Sequence, residues 1–182
     1  MAGSDTTATS IRAILLAIIS NPGIYAKLQR EIDTAASGTI SSPITDVEAR
    51  KLPYLQACIM EGLRHFPPTA QLRERVTPPE GAKINDYSIP GGVFIGFNTW
   101  GLQLDPIYGP DPEIFRPERW LTEDRERLME MRRVHELIFG YGNTKCLGAP
   151  IAALNLNKVF VEVGSKLDKK YRIELVDHIS SC

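Results

Sequence analysis

The spacing of apolar residues predicts three helices in the N-terminal third of the chain. Apolar positions recur on one helical face between residues 11 and 19, and Leu16 extends the apolar surface around the cylinder. Asn21 and Pro22 have the residue types of a helix cap and a first helical position, so they predict the start of a second helix. Residues 53–66 carry apolar side chains on most sides. We therefore predict that the first and third helices are buried.

The pattern then changes to short strands and to an irregular segment. Short segments between glycine-containing and proline-containing turns predict strands within residues 73–77, 82–90 and 92–98. Between Asp105 and Trp120 the chain contains four prolines and several aromatic residues. An irregular segment of this length is typical of a functional or a disordered region, and the aromatic residues favour a packed one.

The C-terminal part is predicted to return to helix. Residues 123–138 predict a charged, exposed helix, and a further helix is expected after Cys146. The expected apolar stripe of this last helix consists of Leu147, Ile151, Leu154, Val159 and Val163. Residues 170–176 are a last strand candidate, and no linker divides the chain. We therefore expect a single unit, mainly α-helical with small β-sheets, in the α+β class.

Composition narrows the class of protein. The 182 residues carry a formal net charge of −1, which gives no basic surface for nucleic acid. Cys58, Cys146 and Cys182 are few, widely spaced and odd in number, so a reducing compartment is favoured over a disulfide framework or a zinc site. The most apolar stretch, residues 11–20, is about half as long as a membrane span. We expect no signal peptide and no nucleic-acid partner.

The segment FGYGNTKCLG, residues 139–148, is the first candidate for chemistry. It places Cys146 where a helix is predicted to begin, beside Lys145, and both features favour an anionic sulfur. Gly142 and Gly148 leave room for a large or flat partner close to the backbone. Two alternatives remain open at this point, a small buried cysteine in a glycine turn and a cysteine nucleophile. A phosphate-binding loop is a poor fit, because the segment lacks the glycine and lysine spacing of that motif.

Two further segments carry charged residues at informative spacing. Glu61 and Arg64 lie three residues apart on one helix face, which is typical of an exposed ion pair, but the apolar surroundings favour burial. A second guanidinium, from Arg116 or Arg119, would complete the acceptor sites of a buried carboxylate. In the segment AGSDTT, Ser4, Asp5 or Thr6 is the expected N-cap of the first helix.

These segments together resemble the C-terminal part of a haem-thiolate monooxygenase, a cytochrome P450. The cysteine-loop motif is matched by Phe139, Gly142, Cys146 and Gly148, and the E-x-x-R motif by Glu61 and Arg64. The PER element is matched by Pro117, Glu118 and Arg119, and the oxygen-activation motif by Ala2, Gly3, Asp5, Thr6 and Thr7. The sequence of these segments is most similar to the pisatin-demethylase-like branch, which implies a role in secondary metabolism.

The resemblance implies a role for each matched residue. Cys146 would be the axial thiolate ligand of haem iron, with Phe139, Gly142 and Gly148 shaping the loop around it. Glu61, Arg64 and Arg119 would form a buried carboxylate–guanidinium triad. Asp5 and Thr6 would be catalytic residues that deliver protons. Arg75, in preference to Arg73, would bind a haem propionate, with Lys145 as a further candidate because Thr144 replaces the usual Arg or His.

The resemblance also implies a cofactor, partners and limits. We expect haem b, electrons from NADPH through a reductase, and a small organic substrate that receives one atom of dioxygen. The expected fold is a single partial cytochrome P450 domain over residues 1–182, from the distal helix through the cysteine loop and the following helix, truncated at both ends. Without a membrane anchor, this chain would be cytoplasmic, whereas full-length relatives lie at the endoplasmic-reticulum membrane. The alternative is a non-catalytic remnant or gene-model fragment without stable haem.

Overall fold

The computed structural model describes residues 2–38 and 40–166, and this part of the chain is mainly helical with two small antiparallel sheets. The predicted fold class is therefore confirmed. The helices are α1 (Ala2–Ile19), α2 (Pro22–Ala36), α3 (Asp46–Ala49), α4 (Pro53–His65), α5 (Thr99–Gln103), α6 (Arg125–Glu136) and α7 (Ala149–Lys166). Short 3-10 turns lie at Pro106–Tyr108, Pro117–Leu121, Leu137–Phe139 and Gly142–Thr144.

The strands form two separate pairs, all within the predicted segments. They are β1 (Arg73–Val76), β2 (Ala82–Ile84), β3 (Tyr87–Ile89) and β4 (Phe94–Phe97). β2 and β3 form a hairpin, whereas β1 pairs with β4 antiparallel. In the second pair, Arg73 lies opposite Phe97 and Arg75 lies opposite Ile95. Because side chains alternate across a strand, these four residues share one face of the sheet.

The main core lies where α1, α2, α4 and α7 meet. Its buried members include Ile14, Ile18, Leu28, Ile32, Leu55, Ile59, Leu63, Leu156, Phe160 and Val161. A second, smaller cluster of Ala57, Tyr108, Trp120 and Met131 joins α4 to the irregular segment and to α6. α4 contributes to both clusters and therefore joins them.

α1 differs from its prediction at its start and on one face. It begins at Ala2, so the expectation that Ser4, Asp5 or Thr6 caps it is wrong; all three lie inside the helix. Ile14 and Ile18 are buried, as predicted, but Leu16 is 61% exposed. The prediction that α1 is buried is therefore confirmed for the face with Ile14 and Ile18 and wrong for the face with Leu16. An apolar helix surface is buried only where a neighbouring element of the fold covers it.

The junction of α1 and α2 also departs from expectation in one detail. Pro22 is the first residue of α2, as predicted, but the Asn21 side chain makes no capping bond. Its Nδ2 instead donates to the carbonyl oxygen of Ala17 at 2.8 Å, which closes the end of α1. Among the described helices, none alone is long and apolar enough to span a membrane; α1 and α2 qualify only jointly, bent by 107°.

α7 packs on a different face from the predicted stripe. Leu147 precedes the helix and is 98% exposed, and Ile151 is 66% exposed. The buried positions are instead Leu156, Phe160 and Val161. The predicted stripe is wrong because this helix carries apolar residues on several faces and contacts with α2 and α3 select one of them. The predicted strand at residues 170–176 lies outside the described residues.

Candidate functional site

Glu61 is the centre of a buried network on α4. Its side chain is 0% exposed, and its two oxygens accept hydrogen bonds from four residues. Arg64 donates from Nε at 2.9 Å and from Nη2 at 2.8 Å, and Arg119 donates from Nε at 3.0 Å. The backbone N–H of Arg116 and the indole N–H of Trp120 complete the set at 2.8 and 2.9 Å. The sequence-predicted residues Glu61, Arg64 and Arg119 thus lie in one ion-pair network.

The remaining donors of the two guanidiniums bind backbone carbonyls of the irregular segment and of α5. Arg64 donates from Nη1 to the Gln103 carbonyl at 2.6 Å. Arg119 donates from Nη2 to the Ile114 carbonyl at 2.8 Å and from Nη1 to the Tyr108 carbonyl. The Tyr108 ring also lies 5.1 Å from Cζ of Arg64. Buried charges with partners at this many sites hold the irregular segment against α4.

Glu61 stays ionised in this network, whereas the neighbouring His135 is neutral. Burial opposes ionisation of Glu61, but hydrogen bonds and charge from Arg64 and then Arg116 and Arg119 hold its pKa below the usual value. His135 on α6 is buried and lies with its ring 5.2 Å from that of Trp120. Burial lowers the pKa of His135 to about 4, so the ring is neutral near pH 7. Its Nε2–H donates to the Met60 carbonyl at 3.0 Å.

Two contributors to this network were not assigned correctly from the sequence. Arg116 was a candidate second guanidinium, yet it binds Glu61 through its backbone N–H, and its guanidinium pairs with Asp111. Trp120 was not singled out at all. The signal was present, because Trp120 directly follows the PER element and a buried indole N–H needs an acceptor.

The loop around Cys146 is fixed by its backbone. The N–H of Cys146 donates to the carbonyl of Phe139 at 2.8 Å. Gly140 and Gly142 have φ values of 80° and 66°, which a side chain would strain. α7 begins only at Ala149, so Cys146 precedes the helix by three residues instead of opening it. The loop conformation therefore depends on its glycines and on backbone hydrogen bonds, which include the bond from Lys145 N–H to the Gly142 carbonyl at 3.0 Å.

The thiol of Cys146 is free and exposed. The alternative of a small buried cysteine in a glycine turn is therefore wrong. A Cβ atom added to Gly148 would lie 3.8 Å from Sγ, and one added to Gly142 would have no neighbour within 4 Å. The two glycines thus leave open space beside the loop. An accessible sulfur with this much free space fits a bulky ligand such as haem.

The histidines offer little support for a nucleophilic cysteine. His65 is hydrogen bonded through Nε2 to the Glu113 carbonyl at 2.9 Å, and His135 is bound to the carbonyl of Met60. His178 lies outside the described residues. Within the described part of the chain, both histidines use Nε2 on backbone carbonyls, whereas a nucleophile needs a base within hydrogen-bond reach.

Arg75 and the cysteine loop meet at one cavity. Arg75 donates from Nη2 to the Tyr141 carbonyl at 3.1 Å and also to Oγ1 of Thr144. The cavity has a volume of about 450 Å³ and is lined by Arg73, Arg75, Ile84, Ile95, Gly96, Phe97 and Tyr141. β1 and the cysteine loop therefore place Arg75 beside Thr144.

The other predicted site residues lie elsewhere. Lys145 donates to Oε2 of Glu136 at 3.3 Å and lines a different cavity, next to α6. Asp5 and Thr6 lie on α1, where the hydroxyl of Ser10 donates to the Thr6 carbonyl at 3.0 Å. The structure thus joins Arg75 to the cysteine loop but directs Lys145 to a surface carboxylate.

Known proteins are similar to this chain over most of its length. A family model described as cytochrome P450 matches residues 1–166. Cytochrome P450 monooxygenase ABA1 of Pyricularia oryzae is 47% identical over 171 residues, which are 92% of this chain and 33% of that protein. Cytochrome P450 monooxygenase abl1 of Leptosphaeria maculans is 38% identical over 184 residues, 100% of this chain and 32% of that protein. The chain therefore spans about a third of the length of these curated relatives.

Proposed function

Because the chain belongs to the cytochrome P450 family, we propose that it is the haem-thiolate portion of a monooxygenase, with Cys146 as the axial ligand of haem iron. The observation that carries this proposal is the exposed, free thiol in a loop whose backbone is held by Phe139. Gly142 and Gly148 leave the space beside it open. The sulfur would bind as a thiolate, which is the form of cysteine that ligates metals.

Beyond Cys146, we propose that Arg75 and Phe139 contact the cofactor. Arg75 would bind a haem propionate, since its guanidinium already contacts the cysteine loop at the position where Thr144 stands. Phe139 would pack beside the loop, and Lys145 would contribute positive charge on the outer surface. When bound, haem b supplies dioxygen activation with electrons from NADPH delivered by a reductase.

The proposed reaction inserts one oxygen atom into a small organic substrate. Asp5 and Thr6 would hold and deliver protons from α1, on which both residues lie. The named relatives are monooxygenases, and we propose a place in secondary metabolism for the same chemistry. Residues 1–182 would act as one structural unit within this reaction, with Glu61, Arg64 and Arg119 holding the irregular segment in place.

A second candidate is a non-catalytic remnant that holds no haem. It is favoured by one observation, the number of large apolar side chains that the structure exposes. Examples are Leu16, Val76, Phe94, Leu147 and Ile151, each more than half exposed. Exposed apolar surface of this extent favours association or aggregation over a stable open site.

Haem reconstitution separates the two candidates. We expect the purified chain to bind haem and, after reduction with carbon monoxide, to give the red-shifted Soret band of thiolate ligation. Cys146→Ala is expected to abolish that band, whereas Cys58→Ala removes a buried thiol on α4 and should leave it. Absence of the band from the wild-type chain, or its persistence in Cys146→Ala, would contradict the proposal. Substrate oxidation with added reductase then measures whether the chain itself is active.

A further inference from the structure

We propose that Asn157 is a positioning residue for Cys146. Its buried side chain fixes the rotation of α7 about the helix axis, and this rotation determines where the preceding cysteine loop lies. The proposal rests on the proposed haem-thiolate function for the role of Cys146, but its geometry is independent of haem. Among the described residues of α7, Asn157 is the one that is both polar and buried, with 3% of its surface exposed.

On its C-terminal side, the cysteine loop is anchored to the core only through α7. Every residue from 141 to 155 is exposed or half-buried. The N–H of Ala149 donates to the Cys146 carbonyl at 3.4 Å, so the loop continues directly into the first turn of the helix. Leu156 and Asn157 are the first buried residues after the loop. The orientation of α7 at these two residues therefore sets the position of Cys146 on this side.

Apolar packing alone determines the rotation of α7 poorly. The buried face carries Leu156, Phe160 and Val161, whereas Ile151 and Leu154 are exposed. A rotation of about 100°, the angle between successive helical residues, would turn Ile151 and Leu154 towards the core instead. Because the hydrophobic effect is not directional, burial of either set of side chains is favourable.

The hydrogen bonds of Asn157, by contrast, are directional. Its Nδ2 donates to Oδ1 of Asp46 on α3 at 2.7 Å, and its Oδ1 accepts from Nε2 of Gln56 on α4 at 2.9 Å. Rotation of α7 by one residue position would break both bonds, and the groups left buried would lack partners. One buried polar residue fixes the register of packed helices in the same way in coiled coils.

The partners of Asn157 fit in one arrangement only. Hydrogen bonds from Asn157 and then from Arg50 hold the pKa of Asp46 below its usual value, so Asp46 is an ionised acceptor near neutral pH. The NH2 end of the Asn157 amide must therefore face Asp46, which leaves its oxygen for Gln56. α7 has a further polar contact, in which Glu162 accepts from the N–H of Ile44 at 2.7 Å, but Glu162 is only half-buried.

The first experiment measures the distance between two spin labels in the haem-free chain. One label is attached to the exposed Cys146, and the other to Ala26→Cys at an exposed position of α2. The remaining thiols are removed by Cys58→Ala and Cys182→Ser. Pulsed electron paramagnetic resonance then reports the distribution of distances between α2 and the cysteine loop.

Asn157→Leu tests the amide while keeping the size of the side chain. Asn155→Leu is the matched control, because it makes the same change at an exposed position of α7. A rotation of about 100° moves a backbone atom, about 2.3 Å from the helix axis, by about 3–4 Å. We expect one distance in the parent chain and in Asn155→Leu, and a second one in Asn157→Leu. A merely structural role would lower stability and leave the distance unchanged, and this result would overturn the proposal.

A pair of exchanged residues tests the same bond without an apolar substitution. Asn157→Asp places a carboxylate beside that of Asp46, so the bond is lost and the two charges repel. Adding Asp46→Asn restores the bond with donor and acceptor exchanged. We expect the second distance in Asn157→Asp and the parent distance in the double variant. This pair decides the question if Asn157→Leu does not fold, and a double variant that keeps the second distance would contradict the proposal.

Haem reconstitution of the unlabelled variants provides the functional readout. Asn157→Asp is expected to lower the fraction of haem with the thiolate Soret band about twofold or more, as when a second orientation becomes equally populated. Adding Asp46→Asn should restore this fraction. If the wild-type chain binds no haem, the proposed function fails, and the label distances still decide the role of Asn157. Equal thiolate fractions in the wild type and in Asn157→Asp would overturn the positioning role.

Discussion

The network around Glu61 and the loop around Cys146 differ in how many partners their central side chains have within the described chain. Glu61 is fully buried and accepts from Arg64, Arg119, Arg116 and Trp120. Cys146, by contrast, is exposed, and its loop is bounded by glycines with open space beside them. The first region is complete without any ligand, whereas the second provides a surface for one.

This difference separates stability from function. Removing one partner from a buried carboxylate with two guanidiniums strongly lowers the stability of the fold. The remaining charges then stay buried without a partner and without water. An exposed thiol can be removed with little effect on folding, although it is the atom on which the proposed activity depends. The following experiments test that separation, from the largest expected effect to the smallest.

Removing the charge of Glu61 is expected to have the largest effect on stability. Glu61→Gln keeps the side-chain size but leaves Arg64 and Arg119 without their carboxylate, so the free energy of unfolding should fall by about 3–5 kcal/mol. Chemical denaturation measures it. The matched control is Glu118→Gln, which removes a half-buried carboxylate paired with Lys27 and should cost about 1 kcal/mol or less. Equal losses in the two variants would contradict the central role of Glu61.

Crowding the contact between α4 and α1 should have the next largest effect. A Cβ atom on Gly62 would overlap Cγ1 of the buried Ile14, so Gly62→Ala is expected to lower the free energy of unfolding by up to about 3 kcal/mol. Gly23→Ala on α2 is the control, since its Cβ would meet no atom within 4 Å. The control should be neutral or slightly stabilising, because alanine favours helix. Thermal unfolding of both variants makes the comparison.

Lowering the pH should destabilise the network through His135. Burial depresses its pKa in the folded chain to about 4 from 6.5, so only the unfolded chain takes up the proton as the pH falls below 6.5. The stabilisation is fully present above pH 6.5 and lost towards pH 4, and at pH 5 the free energy of unfolding should be about 2 kcal/mol lower than at pH 7.5. At pH 5 the lowered pKa of Glu61 keeps its carboxylate ionised in the folded chain, and the stabilisation from Glu61 is lost mainly at lower pH.

Variants at the two described histidines assign this pH dependence. His135→Gln should remove most of the difference between pH 7.5 and pH 5. His65 is exposed, so His65→Gln should leave the difference unchanged. A pH dependence that survives in His135→Gln would show that another group carries it.

Replacing Cys146 should have the smallest effect on folding. Cys146→Ala removes an exposed thiol, so the unfolding free energy of the haem-free chain should change by less than about 0.5 kcal/mol. Haem affinity, measured on the same preparation, should fall strongly. A large loss of stability without haem would mean that Cys146 has a structural role and would remove the contrast with Glu61.

The sequence predicted the parts of this arrangement that depend on local spacing. Residues three apart on a helix, such as Glu61 and Arg64, share one face, and the turn residues that flank residues 73–77 predict the strand that carries Arg75. Residue types alone could not specify that Arg116 would use its backbone N–H, since this depends on the path of an irregular segment. The same limit applies to Trp120, whose acceptor lies 59 positions away along the chain.

Helices with apolar residues on several sides were predicted least well. α7 buries Leu156 and Phe160 and exposes Ile151, against the expected stripe. Its polar Asn157 is also buried, and two hydrogen bonds satisfy the side-chain amide. Asn157 donates to Asp46 at 2.7 Å and accepts from Gln56 at 2.9 Å. Neighbouring helices determine which face is buried, so the periodicity of one segment does not predict it.

The most direct test of the account is iron X-ray absorption spectroscopy on the haem-reconstituted chain. It reports which elements are bonded to the iron. We predict one sulfur ligand in the wild-type chain and in Cys58→Ala, and none in Cys146→Ala. Iron bound only by nitrogen and oxygen in the wild-type chain, or a sulfur ligand that remains in Cys146→Ala, would contradict the account.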